Sequence, residues 1–279
     1  MRATTVLDTA SIRVTDYRCD SGPSARPFTE LHDAFTIAYV RSGSFGYTCR
    51  GRRWDLVPGA VLIGRPGDEY VCSHEHVCGD ECLGFRLAAD LADELDARGA
   101  LWRTHVLPPV PGVLVFGELA QAAVERRIDV APDEAGLLLA GRVAALAGAP
   151  PPPSGITARD RRRAVEAARW IEAKAAEPID LQQAAEQAGL SRFHFIRMFA
   201  RVLGVTPHQH LVRARVRLAS RLLAAEDCPV TEVALEAGFG DLSNFVRTFG
   251  RAAGMSPSAF RRKARKDRNF RQEPVAGSA

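Results

Sequence analysis

The sequence lacks several features that define whole classes of protein. Its 279 residues contain no run of 18 or more apolar residues, so no membrane-spanning helix is expected. The first 17 residues lack the apolar core of a secretion signal, and we therefore expect a cytoplasmic protein. The chain also lacks a glycine-rich phosphate-binding loop and the nucleophile elbow of hydrolases, which argues against two common classes of enzyme.

Negative charge is scarce in the second half of the chain. From Ile156 to the C-terminus there are 22 Lys and Arg against 13 Asp and Glu, whereas the first 155 residues hold 15 against 20. A basic half beside an acidic half indicates a polyanion-binding module joined to a different module. The length of 279 residues agrees with about two domains.

A proline-rich segment, Ala149–Gly155, predicts the boundary between these modules. Its four consecutive prolines favour an extended conformation, and the Ser-Gly that follows lets the chain pivot. Before residue 107, short β-prone segments alternate with glycine and proline turns, which predicts an antiparallel barrel or sandwich. We therefore expect a β-rich unit over 1–107 and a linker over 149–157.

Residues 108–148 show helical rather than β periodicity. Apolar residues recur at helical spacing over Gly112–Arg127 and again over Pro132–Ala147. Pro132 suits the first turn of the second helix. Two amphipathic helices could pack on the β unit or pair with a second chain, and we expect them to mediate homodimerisation.

The basic half contains an internal repeat with an offset of 49 to 50 residues. Its copies run from Ala185 to Pro207 and from Ala234 to Pro257. Each copy has a short helix with two alanines three residues apart, then a glycine, Gly189 or Gly238, and then a second helix. Small residues allow two helices to cross closely, and glycine adopts the left-handed conformation that closes the first helix. Each copy therefore predicts a helix-turn-helix, with α-helical structure throughout this half, and Ser191 and Asp241 are expected to cap the second helices.

The second helix of each copy has an apolar stripe expected to be buried and, opposite to it, a stripe expected to face outward. Arg197 and Arg247 lie at the centres of the outward stripes, and an arginine can bind guanine O6 and N7 with both prongs. Outward Phe193 and Ile196 can contact thymine methyl groups. The residues predicted to contact DNA are Ser191, Arg192, Phe193, His194, Ile196 and Arg197 in the first copy, and Ser243, Asn244, Val246 and Arg247 in the second.

A long helix, Pro207–Ala225, is predicted between the two copies, where it would fix the separation of the two reading helices. It carries four arginines, and we expect them to form a solvated face with some buried stems. These are Arg213, Arg215, Arg217 and Arg221.

The pattern G-[LF]-S-x-x-[HY]-[FL]-x-R-x-F, followed by G-x-[TS]-P and a second copy, resembles the DNA-binding domain of the AraC/XylS family. The resemblance covers Arg161 to Arg268, about 40% of the chain. It implies a seven-helix unit that binds double-stranded DNA through two helix-turn-helix motifs. His210 departs from the tyrosine usual in the family, which changes a packing or phosphate-contact position.

By the same resemblance, the β unit is similar to the cupin-type sensor domain of this family. The expected fold is therefore α+β with two domains, an N-terminal cupin-like β-barrel with flanking helices and a C-terminal all-α double helix-turn-helix. The expected units are a sensor over 1–107, a helical dimerisation segment over 108–148, a linker over 149–157, a DNA-binding domain over 158–268 and a tail over 269–279.

Cysteine and histidine are concentrated in Tyr70–Cys82, where five of 13 residues are Cys or His. Thiolate and imidazole groups bind zinc and similar soft metals. A rival interpretation is a cupin-type enzyme site, because His74-x-His76 followed by Glu81 matches cupin ligand spacing; a third is that no ligand binds. The candidate metal ligands are Cys72, His74, His76, Cys78 and Cys82, whereas Cys19, Cys49 and Cys228 are isolated and expected to be structural.

These patterns together predict a DNA-binding transcriptional regulator that is not an enzyme. Its N-terminal domain is expected to sense an effector of unknown identity, with a metal ion or a thiol-reactive signal as candidates. The expected partners are double-stranded DNA and a second copy of the chain, and no membrane. Zinc is the expected cofactor if the cysteine-histidine cluster binds metal. The alternative is a cupin-type metalloenzyme fused to a DNA-binding domain.

Overall fold

A computed structural model of the chain describes residues 1–75, 79–96, 99–128, 130–148, 155–225 and 227–265. The predicted linker lies outside the described residues except for its last three positions, 155–157, and the predicted tail lies outside them entirely. Within the described residues, none of the helices combines the length and the apolarity that crossing a bilayer requires.

The N-terminal region consists of antiparallel strands arranged in two sheets. The first sheet has the order β1-β2-β9-β4-β7-β10 and the second the order β3-β8-β5-β6. The strands are β1 (Arg2–Asp8), β2 (Ile12–Cys19), β3 (Phe28–Leu31), β4 (Phe35–Gly43), β5 (Phe45–Cys49), β6 (Arg52–Leu56), β7 (Val61–Gly64), β8 (Glu69–Ser73), β9 (Asp80–Leu87) and β10 (Val106–Leu107).

Alternation of side chains along the first sheet gives it two different apolar faces. Ala38, Val40 and Cys82 belong to a core cluster shared with the second sheet. Their strand neighbours, such as Tyr39 and Leu83, belong to a larger cluster shared with helices. The first sheet is therefore the middle layer between the second sheet and the helices.

The sequence predicted a barrel or a sandwich, and the expected fold class specified a barrel. Among the described strands, hydrogen bonding produces two separate sheets and does not close them into one barrel. The ladder of the first sheet ends at β1 and β10, and that of the second ends at β3 and β6. A cavity lies between parts of the two sheets, and its polar lining is described below.

The helices begin after β9 and continue to the end of the described chain. The predicted helix Pro207–Ala225 is confirmed with the same bounds. The helices are α1 (Ala89–Leu95), α2 (Pro111–Val124), α3 (Pro132–Leu146), α4 (Ala158–Ala173), α5 (Leu181–Gln187), α6 (Arg192–Leu203), α7 (Pro207–Ala225), α8 (Val230–Glu236), α9 (Leu242–Ala253) and α10 (Pro257–Arg265), with one 3-10 turn at Leu101–Arg103.

Helix α2 lies between the first sheet and the C-terminal helices. It packs against α3, α7 and α9, and every residue from Val113 to Ala123 is buried. Gly117 permits this position, because a Cβ there would lie 2.4 Å from the ring of Tyr39. One of the two helices predicted to mediate dimerisation is therefore covered by its own chain.

Two aromatic clusters hold the helix-turn-helix motifs together. Phe195 and Phe199 of α6 are fully buried, with ring centroids 5.7 Å apart. Phe245 and Phe249 of α9 occupy the equivalent positions in the second motif, also at 5.7 Å. The predicted turns are confirmed, since Gly189 has φ +62° and Gly238 has φ +84°, conformations that favour glycine.

We expect Phe199→Ala to lower the free energy of unfolding of the C-terminal domain by about 3–5 kcal/mol, because it removes a buried ring and leaves a cavity. Phe193→Ala is the matched control on the same helix. Its ring is 64% exposed, so we expect a change of about 0.5 kcal/mol or less. Urea unfolding of the full chain followed by circular dichroism measures both changes, and equal losses would contradict the assigned faces of α6.

Candidate nucleic-acid interface and sensor cavity

Helix α6 presents the first predicted DNA-reading stripe to solvent. Phe195, Phe199, Val202 and Leu203 are its buried residues. Arg197 is exposed and lies over the exposed ring of Phe193, with its guanidinium carbon 5.4 Å from the ring centroid. Of the six predicted contact residues in this motif, Ile196 is half-buried and the rest are exposed, namely Ser191, Arg192, Phe193, His194 and Arg197.

Helix α9 exposes the corresponding residues of the second motif. A hydrogen bond of 3.4 Å from the Arg247 guanidinium to Asn244 Oδ1 joins two of them. Val246 is 39% exposed although it is apolar. The four predicted contact residues Ser243, Asn244, Val246 and Arg247 are all exposed, so the structure leaves both stripes accessible to a ligand.

The two reading helices begin differently. Asp241 accepts a hydrogen bond of 2.6 Å from the backbone N–H of Asn244, as predicted for the residue before α9. Ser191 was predicted to cap α6 in the same way, and this is wrong, since its side chain accepts no hydrogen bond from the helix backbone. Its hydroxyl instead lies 3.0 Å from Nδ1 of His194, another predicted contact residue.

His210 serves in packing rather than in phosphate contact. Its side chain is 1% exposed, and its ring centroid lies 5.6 Å from that of Phe199. Burial lowers the pKa of His210 to about 3, so the ring is neutral at physiological pH. Because the His210 ring is buried, it cannot contact DNA. The replacement of the family's usual tyrosine by histidine therefore changes the core of the first motif.

Glu118 of α2 connects the two halves of the chain. Its carboxylate is buried, and the hydroxyl of Tyr39 on β4 donates a hydrogen bond of 2.7 Å to it. From α7, Arg221 donates to the same carboxylate, and Nε of Arg217 lies 3.5 Å from Oε1. Arg217 also pairs with Glu172 of α4. The arginines predicted to be solvated on α7 thus include two that bind a buried carboxylate.

A second ion pair joins the two domains at the second sheet. Arg161 of α4 donates to the buried carboxylate of Asp55 on β6. Val57, just after β6, belongs to the core of the first motif. The first motif therefore packs near the second sheet, and the second motif packs against α2.

A cavity of about 600 Å³ lies in the N-terminal domain, between parts of both sheets. Three of the five predicted metal ligands, Cys72, His74 and Cys82, line it. His76 and Cys78 lie outside the described residues. Other groups in the lining include Tyr17, Glu30, His32, Tyr70, Asp80 and Arg86.

The thiols of this cavity are poorly suited to react as free thiolates. Burial raises the pKa of both Cys72 and Cys82, and the charge of Asp80 adds to each shift. Reactive cysteines usually have a lowered pKa in a positively charged and partly exposed environment. Cys72 and Cys82 therefore lack the environment of a thiol-reactive site.

Glu81, the carboxylate that a cupin-type enzyme site would need, does not line the cavity. Glu81 points away from it and forms ion pairs with Arg18 at 3.6 Å and Arg41 at 3.4 Å. Its neighbours Asp80 and Cys82 on β9 face the cavity instead. The spacing of histidine and glutamate in the sequence therefore does not bring His74 and Glu81 together.

Sequence reasoning missed two potential metal ligands that lie beside His74 in the cavity, Cys19 and Asp80. Cys19 pairs with Asp80 across strands β2 and β9. The ligand atoms of Cys19, His74 and Asp80 all lie within 4.8 Å of one another. Cys19 looked isolated because its partners are more than 50 residues away in the sequence, and the pairing of β2 with β9 has no local signal.

We expect Glu118→Gln to destabilise the protein by about 3–5 kcal/mol, because it leaves Arg217 and Arg221 without their shared buried carboxylate. The control is Glu177→Gln, which removes an exposed ion pair of 2.8 Å with Lys174 and should cost less than about 1 kcal/mol. Thermal and urea unfolding of the full chain measure both. Similar small effects in the two variants would show that the Glu118 contacts do not hold the domains together.

The comparison with known proteins agrees with the geometry of the C-terminal region. The helix-turn-helix domain family matches residues 184–263. The MmsAB operon regulatory protein of Pseudomonas aeruginosa is 34% identical over 87 residues, which cover 31% of this chain and 28% of that protein. The HTH-type transcriptional activator RhaS of Salmonella agona is 27% identical over 251 residues, covering 82% of this chain and 86% of that protein.

A solved structure of a probable AraC family transcriptional regulator from Rhodopseudomonas palustris is 30% identical, covers 37% of this chain and 97% of that chain, and has a TM-score of 0.35. The chain covers only 28% of the length of the MmsAB operon regulatory protein. It covers 37% of a second relative at 34% identity, the probable transcriptional regulator LumQ of Photobacterium leiognathi. The family match spans both helix-turn-helix motifs described above. The helix-turn-helix family therefore matches within the region that resembles the AraC/XylS DNA-binding domain, and the relatives named above are transcriptional regulators.

Proposed function

We propose that this protein is a sequence-specific DNA-binding transcriptional regulator whose N-terminal domain senses an effector. The observation that carries the proposal is the pair of exposed stripes on α6 and α9, each centred on an arginine in an equivalent helix-turn-helix. Helix α7 separates the motifs, and its 19 residues span about 28 Å. Two reading helices on one face of DNA need a separation of about one helical turn, roughly 34 Å.

The chemistry of the stripes suits the major groove. Arg197 and Arg247 can each donate two hydrogen bonds to a guanine, and Asn244 can pair with an adenine edge. Phe193 and Val246 are exposed apolar side chains that can contact thymine methyl groups. The excess of positive charge after Ile156 would supply phosphate contacts, which release counterions and contribute a salt-dependent attraction.

The cavity is the site that we assign to the effector. Ala38 of β4 lines it, and the next residue on the strand, Tyr39, reaches the opposite face and binds Glu118. A ligand that moves β4 would therefore act on the contacts that Glu118 makes with α7. This short path connects an occupant of the cavity to the DNA-binding domain.

The regulator that we propose has no enzymatic activity and acts in the cytoplasm, where it would meet double-stranded DNA. Two observations favour this over a cupin-type metalloenzyme. The relatives with matching helix-turn-helix domains are transcriptional regulators, and Glu81 is turned away from His74. The effector stays unidentified, with a metal ion as the candidate developed below.

Homodimerisation through the segment 108–148 is part of the proposal. Because α2 is covered by its own chain, the surface left for a partner in this segment lies on α3, where Leu137 in the second turn is 39% exposed and Leu146 at the C-terminal end is 42% exposed. We expect sedimentation at micromolar concentration to detect a dimer, and Leu137→Glu with Leu146→Glu to convert it to a monomer. A parent chain that sediments as a monomer with and without DNA would contradict the dimer.

Arg197→Ala and Arg247→Ala should each relax base preference, at positions about one DNA turn apart, because each loses a bidentate guanine contact of about 1–3 kcal/mol. Arg52→Ala, an exposed arginine on β6, should leave binding unchanged. These effects are measured by binding to an oligonucleotide selected for affinity from a random library, and to a scrambled version of it, over a range of salt concentrations. Equal losses on both oligonucleotides would mean that the arginines contact phosphate, and affinity that does not fall with salt would contradict DNA binding by this surface.

A further inference from the structure

Three metal-ligating side chains from separate strands meet at one end of the cavity. Cys19 ends β2, His74 follows β8 and Asp80 begins β9, and their ligand atoms lie within 4.8 Å of one another. Each side chain is less than a tenth exposed, and each lines the cavity. The pairing of Cys19 with Asp80 and the hydrogen bond between His74 and Asp80 fix the three relative to one another.

The distances in this cluster are close to those around a tetrahedral metal ion. Bonds of about 2.3 Å to sulfur and about 2.0 Å to nitrogen or oxygen place neighbouring ligands about 3.3–3.8 Å apart. His74 Nε2 and Asp80 Oδ2 are 2.6 Å apart, and the sulfur of Cys19 lies within 4.8 Å of the ligand atoms of both. A bound ion would require His74 and Asp80 to separate, and Cys19 to approach them, each by roughly 1 Å.

We propose that Cys19, His74 and Asp80 bind a soft divalent metal ion such as zinc, with one coordination position open to the cavity. A thiolate, an imidazole and a carboxylate form a ligand set that zinc accepts and that magnesium and calcium disfavour. Binding would replace the Cys19 thiol proton, which is released to solvent, and the hydrogen bond between His74 and Asp80. This site differs from the ligand set predicted from the sequence, of which it keeps only His74.

The open position gives the site a possible role in sensing. Three protein ligands and one free position are typical of zinc sites that also bind a small molecule, whereas structural sites are closed by four protein ligands. Cys82 lies next to Asp80 on the same side of β9 and lines the same cavity. The metal would thus occupy the end of the cavity at which β2, β8 and β9 meet.

A second group of potential ligands makes a useful comparison. The ligand atoms of Cys49, Asp68 and His105 also lie within 4.8 Å of one another. Here, however, Nε of Arg50 donates a hydrogen bond of 2.9 Å to Asp68 Oδ1, so that a guanidinium already neutralises the carboxylate. A metal ion would have to displace this cation, and we assign the metal to the Cys19 cluster instead.

The test uses the full chain, stripped with a chelator and then titrated with cobalt(II), which reports tetrahedral geometry and thiolate ligation by its absorption. We expect one equivalent to produce visible ligand-field bands and a near-ultraviolet thiolate-to-cobalt band, both of which zinc removes. Cys19→Ser should abolish the thiolate band. Asp80→Asn, which keeps the shape of the side chain, should weaken cobalt affinity by at least about 100-fold, the upper end of what outer-shell changes cost.

Cys49→Ser is the matched control, since it alters a buried cysteine of the second group, and it should leave the cobalt spectrum unchanged. Circular dichroism and binding to the selected oligonucleotide confirm that each variant is folded. A parent chain without a thiolate-to-cobalt band would overturn the proposal, as would a band that survives Cys19→Ser or disappears in Cys49→Ser. Because metal binding is read directly, its failure would leave the proposed DNA binding untouched.

Discussion

The buried carboxylate of Glu118 is the constraint on which the arrangement of the two halves depends. An ionised carboxylate inside a protein is strongly disfavoured unless it is paired and hydrogen-bonded. Glu118 receives a hydrogen bond from Tyr39 in the first sheet, but the compensating positive charge comes from Arg217 and Arg221 in α7. The charge of Glu118 on α2 is therefore compensated only while α7 is docked against α2. This requirement specifies how the two domains pack.

The first sheet connects the cavity to the helices that contact Glu118. Successive residues of an antiparallel strand face opposite sides, so that β4 places Ala38 in the cavity and Tyr39 against α2. Strand β9 does the same with Cys82 and Leu83. Since protein interiors are closely packed, a shift of these strands on one side is transmitted to the other. The middle position of this sheet is what allows cavity and helices to influence each other.

Local patterns in the sequence were enough to predict the C-terminal domain. The repeat located both motifs, the glycines located both turns, and apolar spacing gave Pro207–Ala225 its correct bounds. Apart from the predicted cap at Ser191, the predictions that went wrong depend on contacts between distant segments. Cys19 meets Asp80 only through the pairing of β2 with β9, and Glu81 turns outward because the same pairing decides which residues of β9 face the cavity. Division of the strands into two sheets likewise depends on long-range hydrogen bonds.

The arginines of α7 show how one sequence pattern can hide two roles. From the sequence they form a basic surface, yet Arg217 is only 6% exposed and is held between Glu118 and Glu172. The helix that separates α6 from α9 is thus also the helix that docks on the N-terminal domain. A spacer with both duties cannot move relative to α2 without moving the two reading helices together. Control of DNA binding by the N-terminal domain would therefore act on the placement of both stripes at once, rather than on the chemistry of either.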